Sequence, residues 1–245
     1  MAASWLLRTG FAVLLLGLAA VAPASAASPG SELTNLDDPE DTFTSPDGQV
    51  IIEQYWKDKS EYDRVYEYWA FDAKHEHGVL LNRDNYTDDA RYPAGFRFSP
   101  NSQWVVRMQK LGSGTHTLFL YRRNGSQFSE ATPKPLGDMV WDYFYSQPIS
   151  RQIHRKSGDR DSIDHPQIHL VKGADDNYAS QGKHWPDSRY LVLSLSFDAQ
   201  GEDHPLPWVE DWQCVFDTKT DKFSIPRDLA KNNAGTINYP APKRK

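Results

Sequence analysis

The stretch FRFSPNSQWVVRMQKLGSGTHTLFLYRRNG, residues 96–125, decides the expected fold. A Ser-Pro-Asn turn leads into an apolar run at 103–109, a connection with two glycines and a second apolar run at 115–121. Short β-branched and aromatic runs between turn residues predict β-strands. The Asn-Gly pair at 124–125 predicts a hairpin turn. The stretch is therefore predicted to form two strands joined by a tight connection.

The opening turn of this stretch occurs three times in the chain. The copies are SPDGQ at 45–49, SPNSQ at 99–103 and WPDSR at 185–189, and three apolar residues follow each one. Proline fixes φ, Asp or Asn hydrogen-bonds to the local backbone and glycine accepts a positive φ. Each copy is therefore predicted to form a β-turn at the start of a strand.

Each turn opens a unit of three predicted strands. The strands are expected at 50–56, 64–71 and 79–81 in unit one, at 103–109, 115–121 and 127–128 in unit two, and at 189–197, 209–217 and 223–225 in unit three. Asp72, Arg122 and Asp217 each follow the aromatic residue that ends the second strand. Such a meander cannot bury its apolar face alone, so the units must stack on one another.

The spacing of the turns predicts a further, degenerate unit. Pro46 and Pro100 are 54 positions apart and Pro100 and Pro186 are 86 apart, an excess of 32. The runs at 139–146 and 166–172 are apolar enough to be strands of this unit. The charged residues between them are then a long insertion.

Unit two resembles the WD40-like blade of TolB-type β-propellers. The matching residues are FSPN at 98–101 and LFLY at 118–121, and in unit one SPDG at 45–48 and WAFD at 69–72. Unit three departs from the blade pattern, because Trp185 replaces the serine and an insertion follows its first strand. The resemblance implies a propeller-like fold or an open, partial propeller. A sandwich of the same meanders is the alternative. The expected fold class is all-β, with stacked antiparallel meanders of three to four strands.

The first 26 residues are predicted to be an export signal. Arg8 precedes an apolar run at 11–18, and Ala-Ser-Ala at 24–26 fits signal-peptidase cleavage. The apolar run is shorter than the roughly 20 residues that a membrane span needs. The protein is therefore expected to be secreted or periplasmic, without a membrane span in the mature chain. A retained N-terminal anchor is the alternative.

The mature chain is expected to form a single β domain at 43–237. Residues 27–42 are acidic and aperiodic, which predicts a flexible leader, and 238–245 are predicted to be a disordered tail. Within the domain, a proline near the first turn of 226–233 and Gly235 beyond its end predict a short C-terminal helix.

Composition and missing motifs limit the function. The 245 residues contain 27 Lys and Arg against 33 Asp and Glu, a net charge of −6, without a basic block of the kind that nucleic-acid binding requires. The single cysteine, Cys214, excludes an internal disulfide and is expected to be a buried thiol. Nucleophile-elbow, P-loop and H-E-x-x-H motifs do not occur. No cofactor or metal is therefore expected.

Two groups of residues are predicted to bind a ligand. Trp141 and Tyr143 alternate with Tyr145, so on a strand they share a face that sugar rings or a partner's side chains can contact. Core packing is the alternative explanation for these aromatic residues.

The second group lies in the charged insertion and consists of His154, Asp161, Asp164 and His165. Long aperiodic loops on a β scaffold often contain binding residues. Asp159, Asp161 and Asp164 can coordinate calcium, although their spacing lacks the glycine and distal glutamate of an EF-hand loop, and Asp164 can orient His165 as a base. A solvated, salt-bridged loop is the alternative.

A turn in unit one contains a third, weaker candidate. His75 and His77 flank Glu76, and two histidines at this spacing can share a metal ion. No metal site is predicted there, because the sequence does not identify a third ligand.

The sequence thus predicts an exported, non-enzymatic binding protein whose repeats present loops to a protein or envelope component. The alternative is a hydrolase or metal-assisted enzyme with its site at 147–184 and His165 as the base. Nucleic acid is not an expected partner.

Overall fold

A computed structural model describes most of the chain. The described residues are 27–61, 63–81, 90–125, 127–151, 164–170, 185, 188–198 and 208–238. The predicted export signal, 1–26, and residues 239–245 of the predicted tail lie outside them. None of the helices in these ranges has the length and apolar character to cross a membrane.

The described residues form strands with two short α-helices. The strands are β1 (Thr34–Asn35), β2 (Phe43–Thr44), β3 (Val50–Ser60), β4 (Asp63–Asp72), β5 (Gly78–Leu80), β6 (Gly95–Phe98), β7 (Trp104–Gly112), β8 (Thr115–Asn124), β9 (Gln127–Glu130), β10 (Asp164–Leu170), β11 (Tyr190–Asp198), β12 (Trp208–Asp217), β13 (Lys222–Ser224) and β14 (Ile237–Asn238). The helices are α1 (Leu136–Ser146) and α2 (Arg227–Asn233). The all-β fold of antiparallel meanders and the short C-terminal helix are confirmed.

Within the described residues each of the three units has four strands, one more than the three predicted to follow its opening turn. We call these opening turns, at 45–49, 99–103 and 185–189, the turn phrases. Unit one is β2–β5, unit two is β6–β9 and unit three is β10–β13, and neighbouring strands within each unit are antiparallel. In the first two units the added strand, β2 or β6, runs into the turn phrase. These strands have only two and four residues, too few for a clear periodicity.

The units form two open sheets. Unit one and β1 make a five-stranded sheet, whereas units two and three share a nine-stranded sheet. Units two and three are joined by a parallel pairing of β8 with β10, at His116 and Gln167. In this second sheet β6 is the last strand, and among the described strands it pairs only with β7.

The predicted fourth unit is wrong, because residues 139–146 belong to α1 and not to a strand. Its buried residues include Leu136, Val140 and Phe144, which recur every four positions and so lie on one face of a helix. The other predicted strand of that unit exists as β10, which pairs with β11 as the first strand of unit three.

The acidic leader differs from the flexible segment that its composition predicts. In β1, Thr34 and Asn35 pair with Trp56 and Tyr55 of β3. A 3-10 turn at Pro39–Asp41 follows, and β2 then pairs with β3. The acidic, aperiodic sequence of the leader does not predict this pairing, because the pairing depends on the backbone of β3 and not on the leader's own side chains.

Unit two lies between two hydrophobic clusters. On β7, Val105 packs with side chains of unit one, whereas its neighbour Val106 packs with α1 and unit three. This alternation follows from the strand period of two. The second cluster contains Cys214, which is fully buried, and burial raises the pKa of its thiol. The prediction of a buried thiol is confirmed.

The turn phrases of units one and two hold their own conformation through side-chain hydrogen bonds. The Ser45 hydroxyl accepts from the Val50 amide at 3.0 Å and donates to Asp47 at 2.6 Å. Ser99 makes the same pair of bonds, with the Trp104 amide at 3.0 Å and Asn101 at 2.8 Å. The repeated Ser-Pro-Asp/Asn sequence therefore has a structural role, because its side chains stabilise the turn that they form.

The turns also bond to one another along the stack. The Asp47 amide of unit one donates to the Ser102 hydroxyl at 3.0 Å, and the Asn101 amide of unit two donates to the Ser188 hydroxyl at 3.0 Å. Ser102 and Ser188 occupy the position of Gly48, and all three residues have positive φ, from 58° to 67°. Serine accepts this less favourable backbone conformation where its hydroxyl joins two units. We call this pair of bonds the turn relay.

Candidate functional site

The structure places Trp141 and Tyr143 in the core side of α1 and not on a sheet face. Trp141 is 7% exposed and its ring lies 5.6 Å from that of Phe197. Tyr143 stacks on Phe223 at 5.0 Å, and burial raises the pKa of its hydroxyl. The shared strand face predicted for these residues does not exist, because they lie two positions apart on a helix and so point to different sides. Trp141 instead stacks on Tyr145, one helical turn away.

The charged residues of the insertion are described only in part. His154 and Asp161 lie outside the described residues. Asp164 and His165 are the first two residues of β10, and Asp164 pairs in register with Asp198 of β11. The backbone of these two residues thus belongs to a sheet and not to a loop. A site built from their side chains stays a prediction.

A cleft of about 790 Å³ lies beside the first strands of units one and two. This volume is within the range of small-molecule and cofactor sites. Its lining comes from the leader and β2, from β6 and the two residues before it, from two residues of β7, and from one residue each of β8 and β10. These residues are Pro39, Glu40, Asp41, Thr42, Phe43, Thr44, Pro93, Ala94, Gly95, Phe96, Arg97, Phe98, Met108, Lys110, His116 and Ile168.

The two walls of the cleft are tied together at its base. The rings of Phe43 in β2 and Phe96 in β6 are 5.3 Å apart. Gln54, which is 1% exposed, accepts from the Ala94 amide at 2.7 Å and donates to the Asp41 carboxylate at 3.0 Å. A buried amide that bonds to both walls fixes their separation.

The charges of the cleft lining are divided between its walls. Glu40 and Asp41 lie in the wall formed by leader residues 39–42, the leader wall. Burial, followed by the charges of Asp38 and Glu40, raises the pKa of Asp41. Lys110 and His116 face each other across β7 and β8, and Arg97 lies on β6. Burial, followed by the nearby Lys110, lowers the pKa of His116.

The cleft lining combines an aromatic base with carboxylates on one wall and two cations, Arg97 and Lys110, on the other. Such a site suits a ligand that has apolar groups and charges on defined sides. Sequence reasoning missed it because the lining comes from five separate segments, and no local motif marks any of them. The pairing of strands brings these residues together.

In the histidine turn of unit one, the possible ligands that lie together are Asp72, Glu76 and His77, so the predicted pairing of His75 with His77 is not the one that forms. Ligand atoms of Asp72, Glu76 and His77 lie within 4.8 Å of one another, and Asp72 and His77 form a hydrogen bond of 2.6 Å. That bond, followed by the Glu76 amide, lowers the pKa of Asp72. Asp217 of unit three likewise accepts from a turn amide, that of Lys219 at 2.9 Å. The repetition favours a structural role for Asp72.

A buried cation lies between units one and two, outside the cleft lining but opposite Phe96 in register. Arg107 is 2% exposed, and its guanidinium carbon is 3.9 Å from the ring centroid of Phe119 and 5.0 Å from that of Tyr68. Within the described residues Arg107 forms no ion pair, and cation–π contacts surround it. Its position indicates a role in packing the two units.

Neither a protein-family model nor a curated protein matches this chain. The geometry of the cleft is therefore the basis for inferring a function.

Proposed function

We propose that this protein is an exported, non-enzymatic binding protein, and that its ligand occupies the cleft beside β2 and β6. The observation that carries this proposal is a cleft of about 790 Å³ with an aromatic base and charges of opposite sign on its two walls. We also propose that the three stacked units are an open, partial propeller, in keeping with their resemblance to TolB-type blades.

A screen of thermal stability with a blocked variant tests the binding proposal. Thr44→Trp places an indole in the cleft, whereas Thr34→Trp places one on β1, and both threonines are exposed strand residues. We expect small ligands and short peptides that raise the Tm of the wild-type protein to lose this effect in Thr44→Trp and keep it in Thr34→Trp. Equal stabilisation of both variants would contradict the proposal.

Export and the absence of catalysis are tested separately. Mass spectrometry of the protein recovered outside the cytoplasm is expected to show a chain that begins at Ala27. The enzyme alternative has its site at 147–184, and in the described parts of that segment no observation favours it. Turnover of a hydrolase substrate that is lost in His165→Ala would replace our proposal with that alternative.

A further inference from the structure

The cleft runs along the edge of β6 that none of the described strands covers. Its lining includes all four residues of this strand, Gly95–Phe98. Successive residues of a strand point to opposite faces of the sheet, and Phe96 belongs to the cluster shared with unit one. A cleft lined by both Phe96 and Arg97 therefore has to pass along the strand's edge. That edge is the place where an added strand would pair.

The two sides of this edge have different chemistry. On one side Arg97, Lys110 and His116 share a face of unit two, as the register shows through the Arg97–Val106 and Lys110–His116 pairs. On the other side are Phe43 and Phe96, with Glu40 and Asp41 above them in the leader wall.

We infer that the ligand of the cleft is an extended peptide that adds to β6 as a strand and alternates acidic with apolar residues. Main-chain hydrogen bonds to a sheet edge supply affinity, and the side chains of alternate residues supply specificity. Every second residue of such a peptide faces the cationic side, where an acidic group is favoured. The residues between them face Phe43 and Phe96. This inference rests on the proposed function.

Three synthetic peptides with blocked ends test the inference by calorimetry. They are an alternating Glu-Val hexapeptide, a block peptide of the same composition (three Glu, then three Val) and an alternating Lys-Val hexapeptide. We expect the Glu-Val peptide to bind the wild-type protein at least about tenfold more tightly than either of the others, about 1.4 kcal/mol. Equal affinity for the block peptide would overturn the inference, because only alternation distinguishes the two.

Reversing a charge in the cleft provides a second test of the inference. Lys110→Glu is expected to weaken Glu-Val binding about tenfold and to improve Lys-Val binding, since a like charge replaces an opposite one. Lys219→Glu, on an exposed turn of unit three, is the matched control and should change neither. Unchanged Glu-Val affinity in Lys110→Glu would overturn the inference.

The outcomes separate this inference from the proposed function. If a non-peptide ligand stabilises the wild-type protein but not Thr44→Trp, and no peptide binds, the cleft is a binding site and the strand-addition inference fails. If the alternating peptide binds Thr44→Trp as tightly as the wild-type protein, both proposals fail.

Discussion

Two junctions join the three units, one between units one and two and one between units two and three. They share the same kind of turn-to-turn hydrogen bond but differ in the side chains that pack between the units. Both have one bond of the turn relay, to Ser102 in the first and to Ser188 in the second. At the first junction the side chains of the two units pack directly on each other. At the second, α1 supplies Val140 and Phe144 to the cluster between the units.

This difference shows what the repeated sequence controls. The turn phrase fixes the relation between neighbouring units at one end of the strands, because its bonds are made by residues of the phrase itself. The space between neighbouring units is filled by the side chains that the intervening sequence provides. The predictions below test the two junctions against each other.

The largest expected effect comes from removing an aromatic residue at either junction. Phe144→Ala at the second junction and Phe98→Ala at the first should each lower the free energy of unfolding by about 3–5 kcal/mol, because both side chains are at most 1% exposed. Denaturant titration measures the change. Asp142→Ala, on the exposed side of α1, is the control and should cost less than about 1 kcal/mol. A small effect of Phe144→Ala alone would show that α1 does not fill the second junction.

A glycine tests how closely α1 approaches the sheet. A Cβ at Gly137 would collide with the Thr117 side chain and lie 3.1 Å from the Leu118 amide nitrogen. Gly137→Ala should therefore destabilise the protein by about 1–3 kcal/mol, despite the higher helix propensity of alanine. Gly112→Ala has open space around the new atom and is the matched control. Stabilisation by Gly137→Ala would mean that the helix lies farther from β8.

The buried cation tests the first junction. Arg107→Met keeps most of the side-chain volume and removes a charge that has no ion pair in the described residues. We expect the free energy of unfolding to stay the same or to rise by about 1 kcal/mol, because replacing a buried charge with an apolar group of similar size is often neutral or stabilising. Thermal and denaturant unfolding measure it. A loss of several kcal/mol would indicate that the cation–π contacts are essential to this junction.

The turn relay should contribute about 1 kcal/mol at each junction. Ser102→Ala loses the hydroxyl and keeps a Cβ at φ 58°, whereas Ser102→Gly loses the hydroxyl and relieves the backbone. We therefore expect Ser102→Ala to unfold at lower denaturant concentration than Ser102→Gly, with both below the wild-type protein. Ser188→Ala and Ser188→Gly should repeat this order at the second junction. A wild-type midpoint for Ser102→Ala would rule out the relay as a stabilising contact.

The smallest effect concerns an ion pair between units. Burial of Asp47 opposes its ionisation, but hydrogen bonds from Ser45, the Gln49 amide and Arg123 outweigh it and hold the pKa of the carboxyl at about 2, below its ordinary 3.8. Because the folded-state pKa is depressed, this stabilisation is present above pH 4 and is lost as pH falls from about 4 to about 2. The Asp47 side chain is 40% exposed, so its pair with Arg123 should contribute about 0.2–1 kcal/mol.

Unfolding measured between pH 2 and pH 6 tests this ion pair. Arg123→Met should reduce the loss of stability over the acid range, because it removes one cause of the depressed pKa. The pair of Arg189 with Asp217 lies within unit three and also lowers the pKa of its carboxyl. Arg189→Met is therefore the control for an ion pair that joins no units. Identical pH profiles for the wild-type protein and Arg123→Met would contradict the assignment.

Local chemistry explains how much of the fold the sequence predicts. The nine strands after the turn phrases were predicted because alternating apolar residues and turn residues are local signals, each contained within about ten positions of the sequence. α1 was missed because aromatic residues at 141, 143 and 145 imitate a strand, although Leu136, Val140 and Phe144 already have helical spacing. β10 was predicted as a strand but assigned to the wrong unit, since its partner β11 lies beyond a long connection.

The cleft was beyond sequence reasoning for a different reason. Its lining joins Asp41 of the leader to Lys110 of β7 and Ile168 of β10, and only tertiary pairing makes these residues neighbours. The residues predicted for binding, Trp141 and Tyr143, were chosen for a face that the helix does not have. The aromatic residues singled out in the sequence thus belong to α1, which packs in the core. The charged residues beside the edge of β6 have no pattern in the sequence that would mark them as a site.

Amide hydrogen exchange measured by NMR tests most directly whether the units are joined turn by turn. In the wild-type protein the amides of Asp47 and Asn101 should be protected, because each donates to a serine of the next unit. Ser102→Ala should speed exchange at Asp47 and leave Asn101 protected, and Ser188→Ala should do the reverse. Exchange at both amides that is as fast in the wild-type protein as in the variants would contradict the stacked-unit account.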